Sequence, residues 1–506
     1  MIVSVAGVGF ERGAGLRRLA DERFDVLVIG GGITGAGVAL DAVTRGLRTA
    51  LVERHDFASG TSSKSSKLVH GGLRYLQQGD VRLVRESLAE RQRLLHNAPH
   101  LVKPLPFVIP VFREGGAVDA RLRRAVGAAL WAYDLTGGAR IRKLHERLTT
   151  AEVLARFPTL DAARVRGGFL YWDAQTDDAR LTLAVARTAS DYGAAVANYA
   201  DVVGITPEVT RVRTAEGDEL DVRATVVVNA TGVWSDDVRQ LEEGAHPKSI
   251  RAAKGVHVTV PRSRLGNEGA AVLRVPGDDR SIFVVPFGER TYIGTTDTDF
   301  DGSLDAPGCS DDDARYLLDA VNAWTTTTLT LDDVVARWAG LRPLVRSATS
   351  GRTADLSRRH RVERHADGMI SVTGGKLTTY RRMAADTVDA VVDVIGRGGR
   401  SITRDLPLHD NDERVILAMV ERERELGEPL VAGLAPRRAD ALHAARAEMV
   451  VTLDDVLTRR LAGTWLDAGA TSAAAEDAAR LVAPELGWDD AEVHRQVARF
   501  RATLSR

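Results

Sequence analysis

The residues best suited to chemistry begin with a glycine cluster. Gly30, Gly32 and Gly35 have the spacing G-x-G-x-x-G, with Gly31 and Thr34 inside it, and Glu53 stands about 20 residues further on. Gly30 permits a tight turn, Gly32 lets a pyrophosphate approach the backbone, and Gly35 lets the next helix lie close to its strand. A carboxylate at Glu53 can accept both ribose hydroxyl hydrogens of an adenosine. It would repel a 2′-phosphate, which argues against NADP. Two further turns of small residues, Ala230-Thr231-Gly232 and Gly374-Gly375-Lys376-Leu377-Thr378, each follow an apolar run. A nicotinamide dinucleotide needs only the first turn. A larger cofactor running through a sheet needs several, so the pattern favours FAD over NAD.

A second set of residues is basic. Arg74, Arg342, Lys376 and the cluster Arg358, Arg359 and Arg361 lie near the glycine-rich turns. Each alone reads as an ordinary surface or structural charge. Together they point to an anionic substrate, because arginine's planar fork matches phosphate or carboxylate oxygens and lysine adds a point charge. His70 and His257 are the candidate acid–base residues. A neutral imidazole near pH 7 can take a hydroxyl proton, although either could be a satisfied core histidine.

The elements that must position these residues alternate strand and helix. Val26–Ile29 reads as a buried parallel strand, about Ile33 to Arg45 as a helix ending at Gly46, and Thr49–Val52 as a second strand. Residues 55–80 form a long loop rich in hydroxyls and glycines. Helices are expected from Val81 to about His96, Thr150 to Arg156 and Asp178 to Tyr192. The prolines in PLPFVIPVF, residues 104–112, read as an extended segment or edge strand. Ala194–Ile205, Val209–Thr214 and Ala224–Asn229 read as strands, and residues 250–300 as an antiparallel sheet. Asp311–Trp324 is helical. The run MISVTGG leads through Lys376 into a helix from about Leu377 to Ile395. Residues 411–506 carry helical patterns only. Arg121–Leu135, basic then apolar, is either a packed domain helix or a surface helix that touches a membrane through Leu130, Trp131 and Leu135.

Composition narrows the class. The 506 residues suffice for two or three domains, and hydrophobic and charged contents of 44% and 27% are ordinary for a globular protein. A formal net charge of −1 gives no sign of a nucleic-acid partner. The single cysteine, Cys309, excludes an intramolecular disulfide, a CxxC redox pair and a cysteine-ligated Fe–S cluster. No apolar stretch approaches the ~20 residues of a membrane span. The first residues read as a leader rather than a signal peptide. Lysine occurs at only seven positions, and Lys64, Lys67, Lys254 and Lys376 fall within these motif regions.

The stretches GGGITGAGVALDAVTRGL, TSSKSSKLVHGGLRYL, NATGVW, GTTD, GLRPL and GGKLTTYRRMA, in that order from about Phe24 to Met383, resemble FAD-dependent glycerol-3-phosphate dehydrogenases. EMVVTLDDVLTRRL, residues 448–461, resembles the family's C-terminal helical domain. The resemblance implies an α/β fold with a doubly wound, FAD-binding Rossmann-like sheet of the glutathione-reductase and D-amino-acid-oxidase type. With it come an antiparallel substrate domain and an all-helical C-terminal domain. The corresponding division is a leader at 1–19, an FAD domain at 20–98, 165–248 and 334–402, a substrate domain at 99–164 and 249–333, and a helical domain at 403–506.

The implied activity is oxidation of sn-glycerol 3-phosphate to dihydroxyacetone phosphate, with hydride passing to flavin N5 and electrons to a membrane quinone. Such an enzyme sits peripherally on the cytoplasmic face of the cell membrane, and a homodimer is allowed. Noncovalent FAD would be held by Gly30, Gly31, Gly32, Thr34, Gly35 and Glu53, by Thr61, Ser62, Ser66, Leu68 and His70, by Val202, and by Ala230, Thr231, Gly232, Trp234, Gly374, Gly375, Lys376, Leu377 and Thr378. Arg74, Arg342, Arg358, Lys376 and His70 would bind substrate, with His257, Arg342 and Lys376 catalytic and no metal. Arg358 lies in SRRHRVER, which departs from the family pattern and permits a one-residue shift. His257 is the expected base, with Arg342 as an alkoxide stabiliser or His70 as the alternatives. Two other readings remain: an oxidase that uses oxygen, and a flavin redox sensor without catalysis.

Overall fold

The computed structural model describes residues 9–73, 80–114, 118–119, 123–134, 143–244, 248–278, 280–345 and 360–504. Two sheets dominate it. In the first, Arg23–Ile29 lies between Thr49–Val52 and Glu219–Asn229, parallel to both; Ala195–Ala197 extends the sheet beyond Thr49–Val52, and Ile370–Thr373 beyond Glu219–Asn229. The chain therefore reverses its direction of growth at Arg23–Ile29, and the carboxyl ends of the flanking strands open on one crevice. The strand's last six residues are all buried, as a parallel strand covered on both faces requires. Helices Ile33–Thr44, Asp178–Asp191 and Tyr380–Ile395 pack together over the sheet.

The second sheet is mainly antiparallel and eleven-stranded. Towards one end of it, the long strand Ile250–Pro261 pairs with Arg290–Gly294 on one side and Ala336–Val345 on the other. Val165–Gln175 and Ala336–Val345, expected in the FAD domain from boundaries at 165 and 334, hydrogen-bond into this second sheet. Lys103–Phe112 is no edge strand either. It pairs with Val165–Gln175 along its length and with Ala270–Arg274 at Phe107 and Val108. Pro104, Pro106 and Pro110 are all even-numbered, so their missing N–H groups fall on one edge and leave the other ladder whole.

Part of the stretch expected as a leader, 1–19, is helical. Arg12–Asp21 is a helix lying on Ala195–Ala197, the terminal strand of the first sheet. Gly15 allows the approach: a Cβ there would fall 2.0 Å from the Val196 carbonyl oxygen. Leu19 is fully buried, and Arg12 ion-pairs with Glu216 at 2.7 Å. The helix covers a strand edge that would otherwise stand open.

The helix seen at Arg123–Tyr133 decides between its two readings in part. Leu130 is fully buried and packs with Tyr133, so it cannot enter a membrane interface; Trp131 is 53% exposed. Arg121 and Leu135 lie outside the described residues. Among the described residues no helix is long and apolar enough to cross a membrane.

From residue 413 the chain is helical, and it docks on the first sheet through buried charge. Asp56, just after the Thr49–Val52 strand, accepts from Arg459 at 2.7 Å and from both terminal nitrogens of Arg460 at 2.7 and 2.9 Å. Glu448 accepts from Arg180 at 2.6 Å and Arg187 at 3.3 Å, both on Asp178–Asp191. Thus the acids and arginines of EMVVTLDDVLTRRL form the joint between the two regions.

Candidate active site

A cavity of about 1160 Å³ lies between the two sheets. One end is built by the glycine turn. Gly30 adopts φ +107°, and a Cβ there would stand 2.8 Å from the Ala230 carbonyl oxygen. At Gly35 a Cβ would fall 1.9 Å from the Gly30 carbonyl oxygen, so only glycine lets the helix start this close. Gly32 caps that helix without a side-chain bond, and the first N–H, of Ile33, donates to Ser62 Oγ at 2.9 Å. Glu53 is buried and accepts from the Gly31 N–H at 2.6 Å and the His55 N–H at 2.9 Å. Burial pushes its carboxyl above the usual range, and the two N–H donors pull the other way.

The second turn is set by Asn229 at the end of its strand. Its amide donates to the Ser235 carbonyl at 2.9 Å and its carbonyl accepts from Thr231 Oγ1 at 2.7 Å. Trp234 lies against Gly60, with Arg54 stacked on its ring at 4.6 Å. The third turn leads into the helix Tyr380–Ile395 through Leu377–Thr379. Thr378 Oγ1 accepts from the His70 N–H at 3.1 Å, which ties the hydroxyl loop to this turn. Lys376 Nζ donates to Ser87 Oγ at 3.1 Å.

The other wall belongs to the second sheet. His257 sits on Ile250–Pro261, cross-strand from Trp338, and stacks on that indole at 4.7 Å with 10° between planes. Its Nε2 is 2.9 Å from Ser66 Oγ, while its buried Nδ1 has no partner among the described residues. Burial, then the positive charges of Arg342 and Lys67, hold the imidazole well below its usual pKa, so it is neutral at pH 7. Lys67 is itself buried against Asp178 at 2.5 Å. Arg342 donates to Thr295 Oγ1 and the Thr296 carbonyl, both at 3.2 Å, and pairs with Asp297 at 3.4 Å. Gly255 makes room for this guanidinium: a Cβ there would fall 2.5 Å from Arg342 Nη2. The strand alternation by itself would assign that space to a ligand.

Of the residues singled out in the sequence, the cavity collects Gly30, Gly32, Thr34, Glu53, Thr61, Ser62, Ser66, Leu68, His70, Val202, Ala230, Thr231, Gly232 and Trp234. It also collects His257, Arg342, Gly374, Gly375, Lys376, Leu377 and Thr378. Gly31 and Gly35 stand behind the lining, where they fix Glu53 and the helix. Arg74 and Arg358 lie outside the described residues. Sequence reasoning missed Arg54, Arg274, Arg280, Phe283 and Asp297, which also line the cavity. The alternation of Ala270–Arg274 places Val272 and Arg274 on one face, a signal that was present.

The cavity fits a flavin dinucleotide on three counts. Its volume, about 1160 Å³, lies above the roughly 300–1,000 Å³ usual for small-ligand sites and leaves room for a large one. A helix N-terminus whose N-cap, Gly32, offers no side-chain acceptor faces it. The indole N–H of Trp234 is buried without an acceptor among the described residues.

Comparison with known proteins agrees with this geometry. The family described as FAD dependent oxidoreductase matches residues 25–381, and the C-terminal domain of alpha-glycerophosphate oxidase matches residues 410–493. Glycerol-3-phosphate dehydrogenase 2 of Mycobacterium tuberculosis is 41% identical over 98% of this chain and 90% of its own length. The human mitochondrial glycerol-3-phosphate dehydrogenase is 36% identical over 95% of this chain and 73% of its own. Among solved structures, glycerol-3-phosphate dehydrogenase from Bacillus halodurans complexed with FAD superposes with a TM-score of 0.77. It is 29% identical and covers 98% of this chain and 97% of its own. With the match spanning both sheets and the helical region, this chain belongs to the FAD-dependent glycerol-3-phosphate dehydrogenase family.

Proposed function

We propose that this enzyme oxidises sn-glycerol 3-phosphate to dihydroxyacetone phosphate. The observation that carries the reading is a neutral imidazole, His257, sharing one cavity with Arg342 and Lys376 and with a dinucleotide cradle. Bound FAD supplies the hydride acceptor. Gly30, Gly32 and the helix start beside Ser62 would hold the pyrophosphate, Glu53 would accept from the ribose hydroxyls, and the Lys376–Thr378 turn would hold the flavin end. Arg342 and Lys376 hold the substrate's charged oxygens, and Asp297 with Thr295 fixes the guanidinium in place. Arg74 and Arg358 complete the proposed set. His257 takes the C2 hydroxyl proton at Nε2, the ring nitrogen that faces the cavity residue Ser66.

A quinone as electron acceptor, attachment to the inner face of the cell membrane and a homodimer belong to the same proposal. Attachment is supported by two exposed apolar side chains, Trp131 and Leu144, 53% and 47% exposed; Trp131 meets the ring of His145, the sequence neighbour of Leu144. The test is anaerobic. Glycerol 3-phosphate should bleach the flavin absorption while glycerol does not, and a quinone should restore it faster than oxygen. Equal bleaching by glycerol would sink the phosphate reading. Faster recovery with oxygen would favour the oxidase.

A further inference from the structure

A second cavity, of about 540 Å³, opens on the surface and shares no lining residue with the first. Six arginines line it: Arg45, Arg93, Arg381, Arg382, Arg400 and Arg404. They come from the end of Ile33–Thr44, from Val81–Asn97, from Tyr380–Ile395 and from the loop that follows. The nearby carboxylates do not balance them. Arg45 is satisfied by Asp41 and Asp389, at 2.6 Å each, and Arg382 by Asp386 at 2.8 Å. Glu90 alone serves both Arg93 and Arg381. Arg400 and Arg404 are exposed and have no carboxylate partner among the described residues. Two positive charges are therefore in excess.

The loop carrying Arg400 and Arg404 is fixed rather than trailing. Ser401 and Thr403 hydroxyls both donate to buried Asp41, at 2.5 and 2.9 Å, and the Gly399 N–H donates to the Arg45 carbonyl at 2.9 Å. Burial, together with repulsion from Arg381 and Arg404, lowers the pKa of Arg93 despite Glu90. The cluster thus holds like charges together at a free-energy cost that an anion would remove. Arginine forks in a concave site of this size match a phosphate group bidentately.

We propose that this cavity is a binding site for a phosphate group carrying two or more charges, separate from the active-site cavity, with Arg93, Arg400 and Arg404 as its principal contacts. The group could belong to a small phosphate ester or to a phospholipid head, and the experiment separates these. Flavin-loaded enzyme is titrated calorimetrically with pyrophosphate at saturating glycerol 3-phosphate, and sedimented with vesicles containing phosphatidic acid or with neutral vesicles. The double variant Arg400→Gln/Arg404→Gln is compared with Arg400→Lys/Arg404→Lys, with flavin content and melting temperature as folding controls. Two charge-assisted contacts are removed, so pyrophosphate affinity should fall ~10-fold or more in the glutamine variant and partly return with lysine. That result identifies a soluble phosphate ligand. Binding only to phosphatidic acid vesicles, lost in the glutamine variant, supports the site with a lipid source. Binding to neither probe, or equal binding in a folded glutamine variant, overturns the proposal.

Discussion

At the residue scale the chemistry rests on charge placed against burial. His257 would ordinarily titrate near 6.5; burial and two neighbouring cations move it well below. The acid limb of kcat should therefore lie below pH 6.5. His257→Asn should keep FAD and bind substrate, slow anaerobic flavin reduction by ~10²–10⁴, and erase that limb. Near-normal reduction in this variant would move the role to Arg342 or His70. Glu53 bonds two backbone N–H groups of its own chain, and the ribose must compete for or share its oxygens. Glu53→Gln should loosen FAD by roughly 1.5–3 kcal/mol, read as a higher dissociation constant on dilution. Loss of either Arg342 or Lys376 should lower kcat/KM by ~10-fold or more, with retained flavin excluding a folding defect.

At the element scale, Gly255 shows how a strand sets the site. Gly255→Ala should displace the Arg342 guanidinium and the Thr295 hydroxyl that holds it, lowering kcat/KM with flavin retained, because an added Cβ would fall 2.5 Å from Arg342 Nη2 and 2.6 Å from Thr295 Oγ1. A variant with wild-type kinetics would show that Arg342 need not stand where it does. Sequence reading picked out Glu53 and the three small-residue turns that line one cavity because each is local: strand, small-residue turn and helix are contiguous. It found the helices Thr150–Arg156 and Asp178–Asp191 for the same reason. It gave no strand at Ala336–Val345 and placed those residues in the FAD domain, because that strand is defined by its pairing with the distant Ile250–Pro261. Prolines misplaced Lys103–Phe112 at an edge, since one-sided loss of N–H groups is invisible without the partner strands. Arg274 ends a strand whose alternation could have pointed to it, whereas Arg280 lies in the turn before Ser281–Phe287 and reaches the cavity through a connection that no short motif encodes.

At the scale of the whole molecule, buried ion pairs join the helical region to the first sheet. Glu448 is pulled down to about 2 by Arg180, Arg460 and Arg187 against the effect of burial, so its contribution to stability is complete above pH 4.5 and is lost as pH falls towards 2. His409 behaves oppositely. Burial lowers its pKa, but hydrogen bonds to Asp191 and Asp412 outweigh that and raise it to about 9. Its contribution is complete below pH 6.5 and disappears as pH rises through 9. From these two groups, thermal stability should be greatest between pH 4.5 and 6.5, and a melting temperature still rising from pH 6.5 to 9 would contradict the assignment for His409. Arg460→Met should cost ~3–5 kcal/mol on denaturant unfolding, because it leaves Asp56 half compensated in the interior. Asp56 also couples two distant parts of the sequence. It stands three residues after Glu53, beside the loop that lines the cofactor cavity, yet its cationic partners are Arg459 and Arg460. A change at Arg460 therefore reaches that loop directly, across 404 positions of sequence, so the helical region is an energetic neighbour of the cofactor end of the first sheet.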